Sequence, residues 1–199
     1  KLVGQLLATA VLIFMGIQAH IFSSEWANYI VTVLWVVGLV NAFNFVDSMD
    51  GLALGVAVIA AGFFMLVTVD SGQPGLARLA ALILGTGAGL MFFNTHPAKL
   101  FLGDSGAQLL GLILAAIGIA YNPAGLPQEV SWFTPILVLG VPIFDATLVV
   151  FSRMRRGVPV YRAGHDHTFH RLVELGMDTN RAVYAMHLAS GGLGLLAFI

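Results

Sequence analysis

The chain has 199 residues, 58% of them hydrophobic and only 10% charged, where a soluble domain carries roughly 25% charged residues. A soluble fold of this size could not cover its surface, and the net charge of -1 says nothing about partners, because in a membrane protein the placement of charge across loops is what matters. The absence of cysteine excludes a disulfide framework, a thiolate zinc site and a cysteine nucleophile.

The apolar runs recur at about the length that crosses a ~30 Å hydrocarbon core as helix. They predict an all-α polytopic transmembrane helix bundle of about seven spans, near 3–22, 28–46, 51–69, 75–94, 105–121, 133–151 and 181–199. No repeat or soluble segment divides the chain, which reads as one integral-membrane unit over 1–199. Lys1 leads straight into an apolar run and Ile199 ends inside another, so the expectation is the C-terminal part of a longer chain. Lys and Arg are retained on the cytoplasmic side. If the chain starts there, Lys1, Lys99, Arg153, Arg155, Arg156, Arg162, Arg171 and Arg181 lie inside and only Arg78 lies outside. The segments 47–50, 95–104 and 152–180 then share the cytoplasmic face. Glycines cluster within spans, as in 85–89 and 191–194, where small residues let helices approach closely.

Three constellations interrupt the apolar pattern. In Asn41-Ala-Phe-Asn-Phe-Val-Asp-Ser-Met-Asp-Gly-Leu52, Asn44, Asp47 and Asp50 are related by i, i+3 steps and share one helix face, until Gly51 breaks or ends the helix. Acids at a membrane edge are functional candidates, although an Asp pair there can also simply cap the next helix. Phe101-Leu-Gly-Asp-Ser-Gly106 places Asp104 between glycines at the start of a span, a turn that suits either a phosphate or a cap. The loop that follows the sixth span carries Arg153, Arg155, Arg156 and Arg162, then His165-Asp-His-Thr-Phe-His-Arg171. Guanidinium groups bind phosphate oxygens in a bidentate manner, while the arginines also serve topology. Topology does not call for histidine.

Asp145, in the Pro-interrupted run Pro142-Ile-Phe-Asp-Ala-Thr147, can reach the site or pair with a nearby Arg, because broken helices at membrane depth line cavities. His20 and His187 read as structural, and His96 is open between the two roles. Acids and a basic loop meeting at one membrane surface point to a metal-dependent reaction between a phosphorylated soluble molecule and a lipid. An ion-coupled transporter is the rival from another class.

At these residues the sequence resembles the polyprenyl-phosphate N-acetylhexosamine-1-phosphate transferase superfamily (glycosyltransferase family 4), which includes phospho-N-acetylmuramoyl-pentapeptide transferase. The 41–52 segment is similar to the family's double-Asp segment, with Ser48 where Gly is usual. The 101–106 turn resembles its metal-ligand motif, and 142–145 and 167–172 resemble its final span and His-rich loop. The resemblance implies transfer of an N-acetylhexosamine-1-phosphate, GlcNAc-1-phosphate foremost, from a UDP-sugar to undecaprenyl phosphate with release of UMP. It implies a plasma-membrane enzyme whose site faces the cytoplasm, serving cell-envelope glycans such as lipopolysaccharide or teichoic acid. Mg2+, or Mn2+ in its place, would be held by Asp104. Asp47 and Asp50 would be catalytic, positioning or activating the lipid phosphate, with Asp47 the nucleophile if the transfer runs in two steps. Asn44, His167, His170 and Arg171 would bind substrate. The bilayer and the two substrates are the expected partners, a homodimer is left open, and no nucleic acid is expected. Two departures stand out. Phe169 occupies the middle His position of the family's His-x-His-His-Arg loop, and the acidic pair that the family carries before the first span here is absent. The 199-residue piece alone is therefore expected to be inactive, and the loop favours the GlcNAc branch over the muramoyl-pentapeptide branch.

Overall fold

The structure is a computed structural model and describes residues 1–159 and 166–198; Arg162 and His165 lie outside the described residues. Among the described residues every regular element is a helix. In chain order the helices begin with α1 (Leu2–Phe14), α2 (Glu25–Val46), α3 (Leu52–Asp70), α4 (Pro74–Asn94) and α5 (Gly103–Ala120). They are followed by α6 (Gln128–Ser131), α7 (Phe133–Val138), α8 (Gly140–Arg155), α9 (Thr168–Glu174) and α10 (Thr179–Phe198). The protein is a multi-pass membrane protein: α2 to α5 are each long and apolar enough to cross a bilayer, and α6–α7 with α8 form a fifth, broken span bent by 81°.

Seven spans were expected, and the ends of the chain account for the difference. The first run stops at Phe14, after which Gly16 takes φ 80°. The apolar residues beyond it are not helical: Ala19 N–H donates to Thr32 Oγ1 at 2.9 Å, and the N–H groups of Ile21 and Phe22 donate to Asn28 Oδ1 at 3.1 and 2.9 Å. Within this chain α1 comprises 13 residues, about 20 Å of helix at 1.5 Å per residue. In α10, long enough at 20 residues, Arg181 and His187 dilute the apolar character.

The break before α8 follows from Pro142. Proline has no N–H for the carbonyl four residues back and its ring crowds that turn, and α7 ends at Val138. In the interior, α3 is enclosed by α4, α5 and α10, and its Leu52, Ala53, Ala57, Ala60, Ala61 and Phe64 are fully buried. Small side chains permit this close packing. The crossing of α2 and α5 is tighter still: a Cβ on Gly111 would sit 2.9 Å from both Leu39 O and Val40 Cα. Inside the same crossing, amides from three helices meet. Gln5 Nε2 donates to Gln108 Oε1 at 3.1 Å, and Asn41 Nδ2 donates to Gln5 Oε1 at 2.9 Å. By contrast, α4 leaves Leu79, Leu82, Leu90 and Phe92 exposed, a face suited to lipid.

The connections alternate between the two ends of the bundle. The 47–51 turn, the 95–102 loop and the start of α9 meet at one end through the contacts of Asn44, Phe45 and Asp50 described below. At the other, Gln73 Oε1 accepts from Asn122 N–H at 3.1 Å and Gln128 Nε2 donates to Ile119 O at 3.0 Å. The segments richest in polar chemistry therefore share one end.

Candidate functional site

The site begins where α2 stops. Asp47 caps α2 with ψ 48°, and Gly51 at φ 75° starts α3. The left-handed conformation is one that glycine adopts without strain, so the chain reverses within five residues. Asn44 is still helical, whereas Asp50 lies in the turn. The i, i+3 face expected for Asn44, Asp47 and Asp50 therefore ends at Asp47, and the three side chains divide between two surfaces.

On the first surface, Asn44 Nδ2 donates to Asp104 Oδ1 at 2.8 Å across the α2–α5 crossing. Asp104 opens α5 after Gly103, which has φ 60°, and its other oxygen lies 2.5 Å from Lys1 Nζ. Gln108 and Asn41, one turn deeper on α5 and α2, hold those helices in register through the amide cluster. Among the described residues the Asp47 carboxylate has no hydrogen bond and no ion pair. Burial, reinforced by the negative charge of Asp104, pushes its pKa from 3.8 up to about 6. A half-buried acid with no partner beside a second acid is the kind of perturbed group that gathers at functional sites.

No three His, Cys, Asp or Glu side chains among the described residues converge as a ready-made metal cage. Mg2+ does not need one, since it is commonly held by one or two carboxylates together with substrate phosphates. Asp47 and Asp104 supply hard oxygen donors, and a cation beside them would offset both the burial that chiefly raises Asp47 and the smaller contribution from the charge of Asp104. The residues present fit the ion.

On the second surface, Asp50 turns to the 95–98 loop. Its Oδ2 accepts from Ala98 N–H at 3.0 Å and lies 2.9 Å from His96 Nδ1. The Ala98 amide first, then His96, holds this carboxylate below the usual range. A polar cavity of about 460 Å³ adjoins the pair, lined by Ser48, Met49, Asp178 and Asn180 among others. Asp47 and Asp50, adjacent in the motif, are thus in different electrostatic states, one unpartnered and one anchored. His96, open on sequence grounds, belongs to the site as the partner of Asp50.

The His-rich segment packs against the flank of α2. The ring of His167 lies 5.9 Å from that of Phe45 and 6.2 Å from that of His170, and the buried ring of Phe169 lies 3.9 Å from that of His170. His167 Nδ1 lies 2.8 Å from Asp145 Oδ2. Arg171 Nη2 donates to Ser152 Oγ at 3.0 Å. Asp166 pairs with Arg153 at 3.0 Å and with Arg156, so two of the loop arginines hold the segment against α8. Sequence reasoning left Asp145 open between reaching the site and pairing with a nearby Arg, and the structure gives it His167. Its one signal was an acid inside a Pro-broken span, and whether it met an Arg or a His depended on the fold. Gln5 and Gln108 gave no signal, because lone amides in apolar runs also pack structurally.

Between α2 and the bent α7–α8 pair lies an apolar groove of about 370 Å³, lined by Trp35, Leu39, Ala42, Trp132, Ile143 and Ala146.

The sequence of residues 1–122 matches the model of glycosyl transferase family 4, a region that contains both the double-Asp turn and Asp104. The chain belongs to glycosyl transferase family 4. Its relatives include a probable undecaprenyl-phosphate N-acetylglucosaminyl 1-phosphate transferase of Bacillus subtilis, 34% identical over 84% of this chain and 46% of the relative. A decaprenyl-phosphate N-acetylglucosaminephosphotransferase of Mycobacterium tuberculosis is 31% identical over 100% of this chain and 55% of that protein. A phospho-N-acetylmuramoyl-pentapeptide-transferase of Bacillus anthracis is 34% identical over 76% of this chain and 48% of its own length. The chain spans about half the length of the curated relatives it matches. Glycosyl transferase family 4 membership agrees with the helical, multi-pass architecture and with the polar end described above.

Proposed function

We propose that the protein containing this chain transfers N-acetylglucosamine-1-phosphate from a UDP-sugar to undecaprenyl phosphate, releasing UMP, at the cytoplasmic face of the plasma membrane. The observation that carries the reading is Asp47, an unpartnered half-buried carboxylate beside Asp104. A prenyl chain suits the apolar groove between α2 and the α7–α8 pair. In the reaction, an oxygen of the lipid phosphate forms a bond to the β-phosphorus of the donor, and the bond from that phosphorus to the bridging oxygen breaks. UMP departs with the bridging oxygen, and the sugar remains on the new diphosphate.

Asp47, ionised above about pH 6 in the metal-free protein, positions the acceptor phosphate, whose own second ionisation near pH 6 leaves it largely deprotonated at neutral pH. Asp104, with Asn44 orienting its carboxylate, and Asp47 would hold Mg2+. When bound, that ion supplies neutralisation of phosphate charge. Asp50, anchored on Ala98 and His96, serves to shape the neighbouring polar cavity. His170 and Arg171 supply donors for the nucleotide phosphates, and His167 offers a ring nitrogen to the uridine or sugar of the donor. Retention of Lys and Arg supports the cytoplasmic assignment of this end.

The test is made on the full-length protein with labelled UDP-GlcNAc and undecaprenyl phosphate. Label is expected in the lipid fraction together with UMP, and Asp104→Ala should abolish both without loss of the folded protein. Transfer from UDP-N-acetylmuramoyl-pentapeptide in place of UDP-GlcNAc would move the chain to the other branch. Absence of transfer from either donor would overturn the reading.

A further inference from the structure

The transfer as written gives no task to Asp145, yet this is the most enclosed carboxylate among the described residues, 1% exposed within the broken span. A buried carboxylate is expensive unless its oxygens are hydrogen-bonded, and both of them are. Oδ1 accepts the Thr168 N–H at 2.6 Å, which caps the first turn of α9 from another helix, and Oδ2 meets His167 Nδ1 at 2.8 Å. His167 is itself buried, 8% exposed, and its ring is wedged beside Phe45 on α2. One carboxylate thus ties three elements together: the bend of α8, the start of α9 and the end of α2 that carries Asn44 and Asp47.

The chemistry of the contact fixes more than position. An ionised carboxylate can only accept, so the proton of the neutral imidazole must sit on Nδ1. Nε2 is then the one ring nitrogen left for a substrate. We propose that Asp145 is a positioning residue for the transfer reaction, holding His167 in the Nδ1–H form so that Nε2 is presented as an acceptor to a hydroxyl or N–H group of the UDP-sugar. The inference rests on the phosphotransfer reading of the site for its substrate, and on the geometry alone for the tautomer.

Asp145→Asn separates orientation from mere scaffolding. The Thr168 N–H needs an acceptor, so the amide oxygen of an Asn at this position stays on Thr168 and its NH2 faces His167. The NH2 group donates to Nδ1, which forces the proton to Nε2, the wrong tautomer, while both ties to α9 survive. In full-length protein carrying 15N-labelled histidine, the His167 signal is identified by its loss in His167→Ala. It is expected to show a protonated Nδ1 in the native protein and an unprotonated Nδ1 in Asp145→Asn. The same variant is expected to lose at least about 10-fold in kcat/KM for UMP release, the effect of a mis-set histidine tautomer or of a lost outer partner elsewhere. It should cause no further loss in the His167→Ala background. An unprotonated Nδ1 in the native protein, or equal losses from Asp145→Asn with and without His167, would overturn the proposal. A native protein that releases no UMP but shows the Nδ1–H signal would overturn the transfer reading and leave the tautomer assignment standing.

Discussion

Replacing Asp47 by Asn is expected to stabilise the metal-free protein while it abolishes transfer. Burial and the charge of Asp104 raise the Asp47 pKa from 3.8 to about 6 in the folded state. For an acid raised in this way the unfolded chain ionises first, so folding stability is intact below about pH 4, falls as pH rises toward 6, and stays reduced above it. Roughly two units at about 1.4 kcal/mol each give close to 3 kcal/mol. Part of the side chain still meets water, which screens the charge, so the expected gain for Asp47→Asn at pH 8 is about 1–3 kcal/mol. For a protein of this size that is a rise of about 2–10 °C in Tm.

The assay is thermal melting in detergent micelles with chelator present, at pH 4 and at pH 8. The variant should melt above the native protein at pH 8 and together with it at pH 4, where both side chains are neutral. Adding Mg2+ at pH 8 should raise the native Tm and leave the variant nearly unmoved. If Asp47→Asn melts at or below the native protein at pH 8, the carboxylate is not held at a disadvantage, and its identification as the unpartnered acid of the site is wrong.

Two further substitutions test the frame around the site. Gly111→Ala places a methyl group 2.9 Å from the backbone of α2 at Leu39 and Val40. Because backbone cannot rotate away, a loss of about 1–3 kcal/mol is expected by thermal melting, with a parallel fall in transfer as Asn44 and Asp104 move apart; an unchanged Tm would mean that the crossing opens freely to admit the methyl group. For Asp166, burial opposes ionisation, but the hydrogen bonds from Arg153 and then Arg156 outweigh it and hold the carboxyl below its ordinary value. Its contribution is therefore present at neutral pH, above the unfolded pKa near 3.9, and disappears as pH falls through the folded value. Asp166→Asn should lower Tm at pH 7, a loss of about 1–2 kcal/mol, and converge with the native protein in acid; a gap that persists at low pH would place the effect elsewhere than in the ion pairs.

The sequence alone determined the solvent and the element type. With so few charges spread over long apolar runs, every backbone group had to be satisfied within its own segment, which only helices and closed barrels achieve in lipid, and the run lengths selected helices. The residues around Asp47, Asp104 and His167 were legible for a related reason, since polar groups are rare enough in such a chain that each cluster is conspicuous. The ends of the bundle were not. An apolar run can finish as extended backbone when neighbouring side chains such as Asn28 and Thr32 take its N–H groups, and hydropathy cannot register that.

What the tertiary structure decided was partnership. Helical periodicity put Asn44, Asp47 and Asp50 on one face, but the turn at Gly51 intervenes, so Asp47 stays beside Asp104 while Asp50 is carried to His96 and Ala98. Asp145 is separated from His167 by 22 residues, and Gln5 from Gln108 by 103. Such pairs follow from how helices cross. The crossing depends on side-chain volume at positions like Gly111, summed over the whole bundle, and no local pattern in the chain encodes it.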